Sequence, residues 1–566
     1  MERQRWIWQD HYDHPSGWSQ KFPPLTLPDM LAASTAANPR ASLIDFYGRR
    51  YSYGEVVDCA QRFANALIAL GIGKGDRVGL YLPNVPHYVA AYYGTLMAGA
   101  IVVNFSPLYT AEELAHQAED SGTRLLVTLS VRQLFGTAHA VLETSCVERL
   151  IVGSVAGSLP PVKRLLYRLF KSRDDAKVPQ DDKRILHFSD FVRNPAPQRL
   201  PTIDAENDLA LIQYTGGTTG RPKGAMLTHQ NLTANARQIN LVDPFARQSD
   251  RIMGVLPFFH VFANATVLNR TVAHGGEIVM LPRFDANQLF AAIERTKPTS
   301  LPGVPTMFQA MLDHPRLKHT NLSSVRICIS GGAPLSLALK ARFETATGSR
   351  LVEGYGLTEC SGVATVNPYG QLGKVGTIGQ PLPGTRIKLL DRENPRKAAP
   401  EGEPGEIAIS GPQIMRGYWH NSEADKDVFA LGYLRTGDVG TIDADGYVTV
   451  VDRIKDMIAV GGFKVFPSQV EAVLYRHPAV REALVIGIPD AYHGELPKAF
   501  VTLRLDAADP PDGAALMAWA NPQLGKHERV SAVEIRESLP RTLVGKLSRK
   551  ELVEEEKAKA AARASA

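Results

Sequence analysis

The chain has only four cysteines in 566 residues, and none belongs to a CxxC pair or a Cys/His cluster. This spacing excludes a disulfide framework and the usual structural zinc sites, and it favours a reducing compartment. Net charge is also low, because 63 Lys and Arg residues face 58 Asp and Glu residues, a surplus of +5. Such a surplus excludes a nucleic-acid surface along the whole chain, but it suits an anionic nucleotide or transient contact with an acidic membrane.

Long hydrophobic runs are missing as well. The N-terminal segment MERQRWIWQDHYDHP lacks the apolar core of a secretory signal. The most apolar stretch, residues 87–105, is short for a membrane span and is interrupted by Gly94 and Gly99. We therefore expect a buried helix that leads into a buried strand, in a cytoplasmic protein rather than an integral membrane protein.

Several catalytic signatures are absent from the sequence. Without GxSxG or HExxH, an α/β-hydrolase and a zinc protease are excluded. Without GxxxxGK[ST], or GxGxxG after a strand, a P-loop NTPase and a dinucleotide-binding fold are excluded too. No repeat of about 20–50 residues is visible, which argues against solenoids and propellers.

Helical and strand-like segments alternate along most of the chain. An amphipathic helical pattern ends at Gly71, and an apolar strand pattern follows at residues 77–82. This βαβα alternation predicts an α/β fold with parallel sheets covered by helices. Short strands and glycine-rich turns after residue 380 predict a β-subdomain, and the pattern changes again at residues 452–456.

We predict a large N-terminal domain, residues 1–454, and a small mobile α+β domain, residues 455–566. Within the second domain, a helix is expected at residues 467–477. The charged, alanine-rich tail, residues 551–566, is expected to be a frayed helix or disordered.

Residues 154–187 differ in composition from their surroundings. Apolar side chains fall on one helical face and basic side chains mostly surround it: Leu165, Leu166, Leu169 and Phe170 against Lys163, Arg164, Arg168, Lys171 and Arg173. Two interpretations stay open. The segment is a surface helix docked on its own domain, or residues 163–173 make peripheral contact with the inner face of an anionic membrane.

The most informative segment is LIQYTGGTTGRPKGAMLT, residues 211–228. An apolar strand leads into a loop of glycines, threonines, Arg221 and Lys223. Glycines let main-chain N–H groups approach phosphate oxygens, threonine hydroxyls donate to the same oxygens or bind Mg²⁺, and a lysine adds positive charge. The loop therefore predicts phosphate binding.

This loop closely resembles the phosphate-loop signature of the adenylate-forming superfamily, which contains acyl-CoA synthetases, adenylation domains and luciferases. Five further segments match in the family's order: SGGAPL (330–335), EGYGLTECSG (353–362), GYLRTGD (432–438), VDRIKDMIAVGGFKVFPSQVE (451–471) and PRTLVGKLSRKEL (540–552). Among its branches, the chain looks most like bacterial long-chain fatty-acid–CoA ligases. The resemblance implies ATP, Mg²⁺ and coenzyme A, an acyl-adenylate formed first, and a CoA thioester formed second.

The resemblance also implies the nucleotide contacts. They would come from the phosphate loop, an adenine slot and two later residues: Thr215, Gly216, Gly217, Thr218, Thr219, Gly220, Lys223, Gly331, Gly332, Ala333, Pro334, Glu353, Gly354, Tyr355, Gly356, Asp438 and Arg453. Tyr355 would stack on the base, and Asp438 would accept hydrogen bonds from the ribose hydroxyls. Thr215 and Glu359 would hold Mg²⁺, a hard cation that prefers oxygen ligands.

Lys546, Thr358 and Glu359 would be the catalytic residues. Thr358 would touch the α-phosphate. Lys546 would arrive with the second domain and neutralise charge that develops around the α-phosphate and the attacking carboxylate. Phosphoryl and nucleotidyl transfers depend on positioning and charge neutralisation more than on covalent groups from the protein.

A hinge and a CoA tunnel are implied as well. Lys455 matches the family's hinge position, where a few residues at an element end absorb large changes in φ and ψ. After adenylation the second domain would rotate, withdraw Lys546 and bring Gly461, Gly462 and Phe463 towards the CoA tunnel.

The resemblance places His260 beside the acyl pocket, although a plain core histidine is the alternative. Some long-chain relatives carry an aromatic gate four residues later, where this chain has Asn264, so the gating of the tunnel is not predicted. Two smaller departures, Gly216 in place of Ser and Ala459 in place of Lys, remove no catalytic group.

Other functions stay open at this point. An acyl-AMP ligase that loads a carrier protein is one, although residues 373–400 show none of that branch's extra insertion. A medium-chain or aryl acid–CoA ligase is another. A non-catalytic lipid-binding or uptake protein would usually have lost Lys546, Glu359 or the phosphate loop, and all are present. A homodimer is left open.

Overall fold

The computed structural model describes residues 5–195, 199–215, 222–245, 250–370, 373–461, 463–490, 492–504, 507, 509–542 and 545–564. Its strands are, in chain order, β1 Ser42–Phe46, β2 Arg49–Ser52, β3 Arg77–Tyr81, β4 Ile101–Phe105, β5 Thr123–Leu129, β6 Arg149–Gly153, β7 Ile185–His187, β8 Leu209–Thr215, β9 Lys223–Thr228, β10 Arg251–Gly254, β11 Glu277–Met280, β12 Ser300–Gly303, β13 Ile327–Ser330, β14 Arg350–Tyr355, β15 Thr365–Val366, β16 Gln380–Pro381, β17 Arg386–Leu390, β18 Gly405–Ser410, β19 Gly417–Tyr418, β20 Phe429–Ala430, β21 Tyr433–Ile442, β22 Val448–Arg453, β23 Ile458–Val460, β24 Phe463–Val465, β25 Val480–Asp490, β26 Gly494–Leu503 and β27 Ala532–Ile535.

The α-helices are α1 Leu27–Ala37, α2 Tyr53–Ala69, α3 Pro86–Met97, α4 Ala111–Ser121, α5 Arg132–Thr144, α6 Val155–Ser158, α7 Pro161–Phe170, α8 Phe188–Phe191, α9 His229–Val242, α10 Val261–Ala263, α11 Arg270–His274, α12 Ala286–Thr296, α13 Pro305–Leu312, α14 Leu337–Thr347, α15 Ser422–Val428, α16 Pro467–Leu474, α17 Gly513–Ala520 and α18 Lys550–Ala564. A π-helical segment, Asn264–Asn269, joins α10 to α11.

Two large sheets form the N-terminal part. Sheet A has the order β16-β15-β14-β13-β12-β10-β11-β1-β2, and sheet B has the order β19-β9-β8-β4-β3-β5-β6-β7. In sheet A the strands from β14 to β1 run parallel, and in sheet B so do the strands from β8 to β7. The parallel sheets predicted from the βαβα alternation are confirmed.

The apolar stretch at residues 87–105 forms α3 and β4, as the sequence predicts. Every residue of β4 is buried, and so is nearly all of α3. A strand in a parallel sheet has helices on both faces and therefore no polar side, which explains the uninterrupted run. Among the described residues, no helix has both the length and the hydropathy that a bilayer crossing needs.

Two small sheets follow. Sheet C has the order β17-β18-β21-β20 with β22 paired to β21, and sheet D has the order β24-β23-β26-β25 with β27 paired to β26. Sheet D carries a hydrophobic core of its own, which includes Val470, Leu474, Val485 and Val501. The α/β fold with a β-subdomain and a small α+β part agrees with the prediction, while the boundary after residue 454 stays a prediction.

The C-terminal helices differ in detail from expectation. Helix α16 ends at Leu474, three residues before the predicted end. The tail forms α18, which buries Leu552 against Leu484 and Phe500 of sheet D. That anchorage explains why the segment takes the helical one of the two predicted alternatives.

Candidate active site

A cavity of about 1670 Å³ lies where sheets A, B and C meet the C-terminal part. It opens at the carboxyl ends of parallel strands, including β8, β13 and β14, the usual place for ligands in such sheets. Its volume exceeds the roughly 300–1,000 Å³ of a single small-molecule pocket. It therefore has room for a nucleotide together with a second substrate.

Part of the cavity lining is charged and polar. Among the side chains that line it are Thr215, Lys223, Thr358, Glu359, Asp438, Arg453 and Lys546. Other lining residues belong to one buried apolar cluster, which includes Ile239, Val242, Ile329, Val363, Val366 and Leu382. The sequence predicts the polar residues, but it does not identify this apolar wall. Its side chains come from α9, β13 and the β15 region, which only the tertiary fold brings together.

The two ends of the predicted phosphate loop are held by the β8–β9 pair. Thr215 and Lys223 are opposite each other in that ladder, and the Thr215 hydroxyl donates to the Lys223 carbonyl at 3.4 Å. Gly216, Gly217, Thr218, Thr219 and Gly220 lie outside the described residues. The loop thus begins and ends at the cavity wall.

Tyr418 links the phosphate loop to Glu359. Its hydroxyl donates to Glu359 Oε1 at 2.8 Å, and Lys223 Nζ lies 5.2 Å from the centre of its ring. Sequence reasoning missed Tyr418, because only the antiparallel pairing of β19 with β9 places it here. Glu359 lies next to Thr358 in the short helical turn Thr358–Cys360.

The oxygen atoms present suit Mg²⁺. Thr215 and Glu359 both line the cavity, and each carries side-chain oxygen. A hard cation of this kind prefers oxygen ligands and usually keeps several waters. These two residues fit the ion that the sequence predicts for them.

The predicted adenine slot follows directly from β13 and β14. Gly331, Gly332, Ala333 and Pro334 come after β13, and Glu353, Gly354 and Tyr355 end β14. All of them line the cavity, as does Gly356. A side chain at Gly356 is excluded, because its Cβ would lie 2.1 Å from the Gly362 carbonyl oxygen.

Glu353 is a structural carboxyl at this edge. Its Oε1 accepts the Leu335 N–H at 3.1 Å, which fixes the loop that follows Pro334. Burial raises the pKa of Glu353 to about 8. The group is therefore mainly protonated at neutral pH.

Asp438 connects sheet C to the slot. It is buried, it accepts the Tyr355 hydroxyl at 2.5 Å, and its Oδ1 lies 3.0 Å from Arg453 Nε. One carboxylate thus orders an aromatic ring on one side and a guanidinium on the other.

Lys546 reaches this constellation from the C-terminal part. Its side chain passes over Gly332, which has a φ of +80° that favours glycine, and an added Cβ there would lie 2.5 Å from Lys546 Cε and displace it. Burial and, to a smaller extent, the positive charge of Arg453 lower the pKa of Lys546 to about 8, while Asp438 opposes both effects. The Thr306 hydroxyl donates to the Gly545 carbonyl at 3.1 Å and fixes the adjoining turn.

His260 and Lys546 share the same part of the cavity. Burial lowers the pKa of His260 to about 3, and the nearby Lys546 contributes to that shift. The imidazole is therefore neutral at physiological pH. Its Nδ1 accepts the Phe262 N–H at 3.2 Å, which orients the ring at the start of α10.

Asn264 does not face the cavity. It is fully buried in the π-helical segment, where Oδ1 accepts from Asn269 Nδ2 at 2.7 Å and from the Tyr92 hydroxyl at 3.3 Å. Two aromatic residues of the same segment, Phe259 and Phe262, do line the cavity, and the Phe262 ring lies 2.7 Å from where a Cβ on Gly331 would be.

The residues predicted for the second half-reaction are placed differently. Lys455 lines the cavity from the turn Ile454–Asp456. Gly461 and Phe463 are not among the lining residues, and Phe463 is 55% exposed with its ring stacked 3.7 Å from that of His527. Gly462 lies outside the described residues. In this arrangement, then, Lys546 lines the cavity, whereas Gly461 and Phe463 do not.

Comparison with known proteins agrees with this geometry. A family profile described as AMP-binding enzyme matches residues 31–419, and one described as AMP-binding enzyme C-terminal domain matches residues 469–546. A long-chain-fatty-acid–CoA ligase of Bacillus subtilis (strain 168) is 39% identical over 97% of this chain and 98% of its own length. A feruloyl-CoA synthase of Amycolatopsis sp is 36% identical over 91% of this chain and 96% of its own.

Solved structures are similar over nearly the whole chain. The ATP-bound MatB from Rhodopseudomonas palustris is 31% identical with a TM-score of 0.81, covering 94% of this chain and 99% of its own. An anthranilate CoA ligase in complex with anthranoyl-AMP is 28% identical with a TM-score of 0.84, covering 96% and 99%.

Proposed function

Since the chain belongs to the AMP-binding enzyme family and is an AMP-forming acid–thiol ligase, we propose that it joins a long-chain fatty acid to coenzyme A. The observation that carries this proposal is a single cavity lined both by cationic and oxygen-bearing side chains and by a buried apolar cluster. The first suits a nucleotide triphosphate, and the second suits an alkyl chain.

The reaction has two steps. A carboxylate oxygen of the acid attacks the α-phosphorus of ATP, and the bond from that phosphorus to the bridging oxygen breaks to release pyrophosphate. The CoA thiolate then attacks the carbonyl carbon of the acyl-adenylate, and the carbon–oxygen bond breaks to release AMP. Neither step needs a covalent bond to the protein, so positioned charges and hydrogen bonds supply the catalysis.

For the first step we assign roles to the polar residues. Lys546 neutralises charge on the α-phosphate and the incoming carboxylate, assisted by Thr358. Asp438 holds the ribose hydroxyls, and Tyr355 covers the base. Lys223 and the loop after Thr215 bind the outer phosphates. When bound by Thr215 and Glu359, Mg²⁺ neutralises phosphate charge.

For the second step we propose that the part after Lys455 rotates about that residue. Rotation would take Lys546 out of the cavity and bring Gly461, Gly462 and Phe463 towards the pantetheine. The exposure of Phe463, which is not among the residues that line the cavity, supports such a second arrangement, as does the separate core of sheet D.

An ion pair across this boundary gives a test. Arg481 Nη2 lies 3.2 Å from Asp313 Oδ2, and both side chains are half-exposed. Asp313→Ala should lower acid-dependent ATP–pyrophosphate exchange about two- to fivefold, as expected for a half-exposed pair. Thioester formation from supplied acyl-AMP should not fall. As a control, Asp190→Ala removes a carboxylate paired to Arg193 within one domain and should change neither rate. An equal loss of both half-reactions in Asp313→Ala would argue against a rotation.

The pH dependence of adenylation gives a second test. The ammonium form of Lys546 is the active one, and its pKa in the free enzyme is about 8. The value of kcat/KM for ATP should therefore be constant below that pH and fall as the pH rises through it. In Lys546→Arg the cation persists to much higher pH, so the variant should be slower but should lose this alkaline limb. A limb that stays in Lys546→Arg would assign it to another group.

The acid itself is tested by a substrate series. With ATP, Mg²⁺ and CoA present, kcat/KM should rise with chain length and be highest for long-chain acids. A maximum at medium-chain or aryl acids would replace the proposed substrate with the class named for the feruloyl-CoA synthase. Acylation of a carrier protein without CoA turnover would favour the carrier-loading alternative.

Peripheral membrane contact through residues 163–173 belongs to this proposal, because long-chain acids are poorly soluble and partition into bilayers.

A further inference from the structure

Helix α7 exposes its apolar face to solvent. None of its ten residues is buried. Its large apolar side chains are among the most exposed of the described residues: Val162 at 72%, Leu165 at 59%, Leu166 at 48%, Leu169 at 65% and Phe170 at 76%. An ordinary surface helix turns such a face towards its core. The helix is docked on its own domain, as one of the two interpretations has it, but its apolar face takes no part in that docking.

The protein holds α7 by its polar side instead. Lys163 Nζ donates to the Tyr47 carbonyl at 2.9 Å and lies 5.3 Å from the centre of the Tyr47 aromatic ring. The Tyr167 hydroxyl donates to Asp175 Oδ1 at 3.0 Å, and Arg164 Nη2 donates to the Leu159 carbonyl at 3.3 Å. These contacts fix the helix with its apolar side chains pointing away from the body.

Positive charge accompanies the apolar strip. Residues 161–173 contain five basic residues and no acidic one. Arg168, Lys171 and Arg173 are exposed, and no ion pair found among the described residues involves them. An exposed apolar strip flanked by basic residues complements a surface with negatively charged groups on the outside and apolar groups beneath them.

We propose that α7 with residues 171–173 binds the surface of a bilayer that contains anionic phospholipids. The helix axis would lie in the plane of the membrane. Leu165, Leu169 and Phe170 would enter the boundary between headgroups and acyl chains, while Arg168 and Lys171 meet the phosphates. If the protein is the proposed long-chain fatty-acid–CoA ligase, membrane binding through α7 would let the enzyme take its acid directly from the bilayer. Only this consequence for catalysis rests on the proposed function.

Co-sedimentation with vesicles tests the binding directly. One variant, Leu165→Glu with Leu169→Glu, removes the apolar contact and keeps good helix formers on the surface. A second, Arg168→Glu with Lys171→Glu, removes the charge. Matched controls change exposed residues elsewhere: Ile7→Glu for the first and Lys21→Glu with Arg40→Glu for the second.

The wild type and both controls should bind vesicles of phosphatidylglycerol and phosphatidylcholine, and bind vesicles of phosphatidylcholine alone much more weakly. The leucine variant should lose binding more than tenfold. Each basic residue near an anionic surface is worth roughly fivefold in affinity, so the charge variant should also fall more than tenfold and lose its salt dependence. Both variants should keep wild-type turnover of a short, water-soluble acid, which shows that they fold.

Three results would overturn the proposal. The wild type could fail to bind anionic vesicles, or both variants could bind as well as their controls. Alternatively, light scattering without lipid could show a dimer that Leu165→Glu with Leu169→Glu dissociates, so that a second copy of the chain is the occupant. Sedimentation needs no ATP, acid or CoA. A failure of the ligase function would therefore appear in turnover and leave the vesicle result unchanged.

Discussion

Replacing Lys546 with alanine is expected to lower acid-dependent ATP–pyrophosphate exchange by about 10²–10³-fold, the usual effect of losing one preorganised group that stabilises the transition state. Lys546 is held over Gly332, beside Asp438 and Arg453, where in the proposed reaction it would meet the α-phosphate and the carboxylate that attacks it. In a site from which water is largely excluded, that charge counts for more than it would in solvent.

The effect should be confined to the first half-reaction. Thioester formation from supplied acyl-AMP and CoA should stay near the wild-type rate, because Lys546 would have left the cavity by then. Lys526→Ala, which removes an exposed lysine of the same domain outside the cavity, serves as the control and should change neither rate. Exchange in Lys546→Ala close to that of Lys526→Ala would show that this lysine has no part in adenylation.

The second large effect is expected at Asp438. Asp438→Ala removes the partner of both Tyr355 and Arg453 and the proposed acceptor for the ribose hydroxyls. We expect kcat/KM for ATP to fall about 10²-fold or more, in line with ~1–3 kcal/mol for each polar group left without its partner. The Michaelis constant for ATP should rise, while that for the acid should change little.

A smaller substitution separates charge from shape at this position. Asp438→Asn keeps the volume but loses the acceptor-only carboxylate, so its loss should lie between those of the wild type and Asp438→Ala. Asp391→Asn, in an exposed turn of the same β-subdomain, should behave as wild type. If Asp438→Ala keeps a wild-type Michaelis constant for ATP, the ribose assignment is wrong.

Residues inside recurring local motifs could be predicted from the sequence. Tyr355, Asp438 and Lys546 are far apart along the chain, yet the structure brings them into one cavity with Gly332 and Arg453. Each lies in a segment whose glycine, charge and spacing pattern is distinctive by itself. Their roles in catalysis remain proposals that the variants above test.

Residues placed only by tertiary contact could not be predicted. Tyr418 contacts Glu359 because β19 pairs with β9. Thr306 donates a hydrogen bond to Gly545, which is 239 residues away along the chain. Asn264 stands at the position of an aromatic gate in some relatives, but the π-helical turn directs it into a polar cluster with Tyr92. No local sequence pattern predicts where these side chains point in the folded protein.

Helix α7 shows the same limit for a surface element. Its periodicity predicts two faces, one apolar and one basic, but it does not say which face meets the body. The contacts of Lys163 with Tyr47 and of Tyr167 with Asp175 decide this. These partners lie on separate loops, so the orientation depends on the fold and not on the helix itself.

The most direct test of the central claim follows the oxygen of the acid. A long-chain acid labelled with heavy oxygen in its carboxylate is incubated with ATP, Mg²⁺ and CoA, and the products are analysed by mass spectrometry. Attack of the carboxylate on the α-phosphorus, followed by thiolysis at the carbonyl carbon, places one labelled oxygen in AMP and none in pyrophosphate. Acyl-CoA should appear in equal amount. Unlabelled AMP, or label in inorganic phosphate together with ADP, would contradict an acyl-adenylate intermediate.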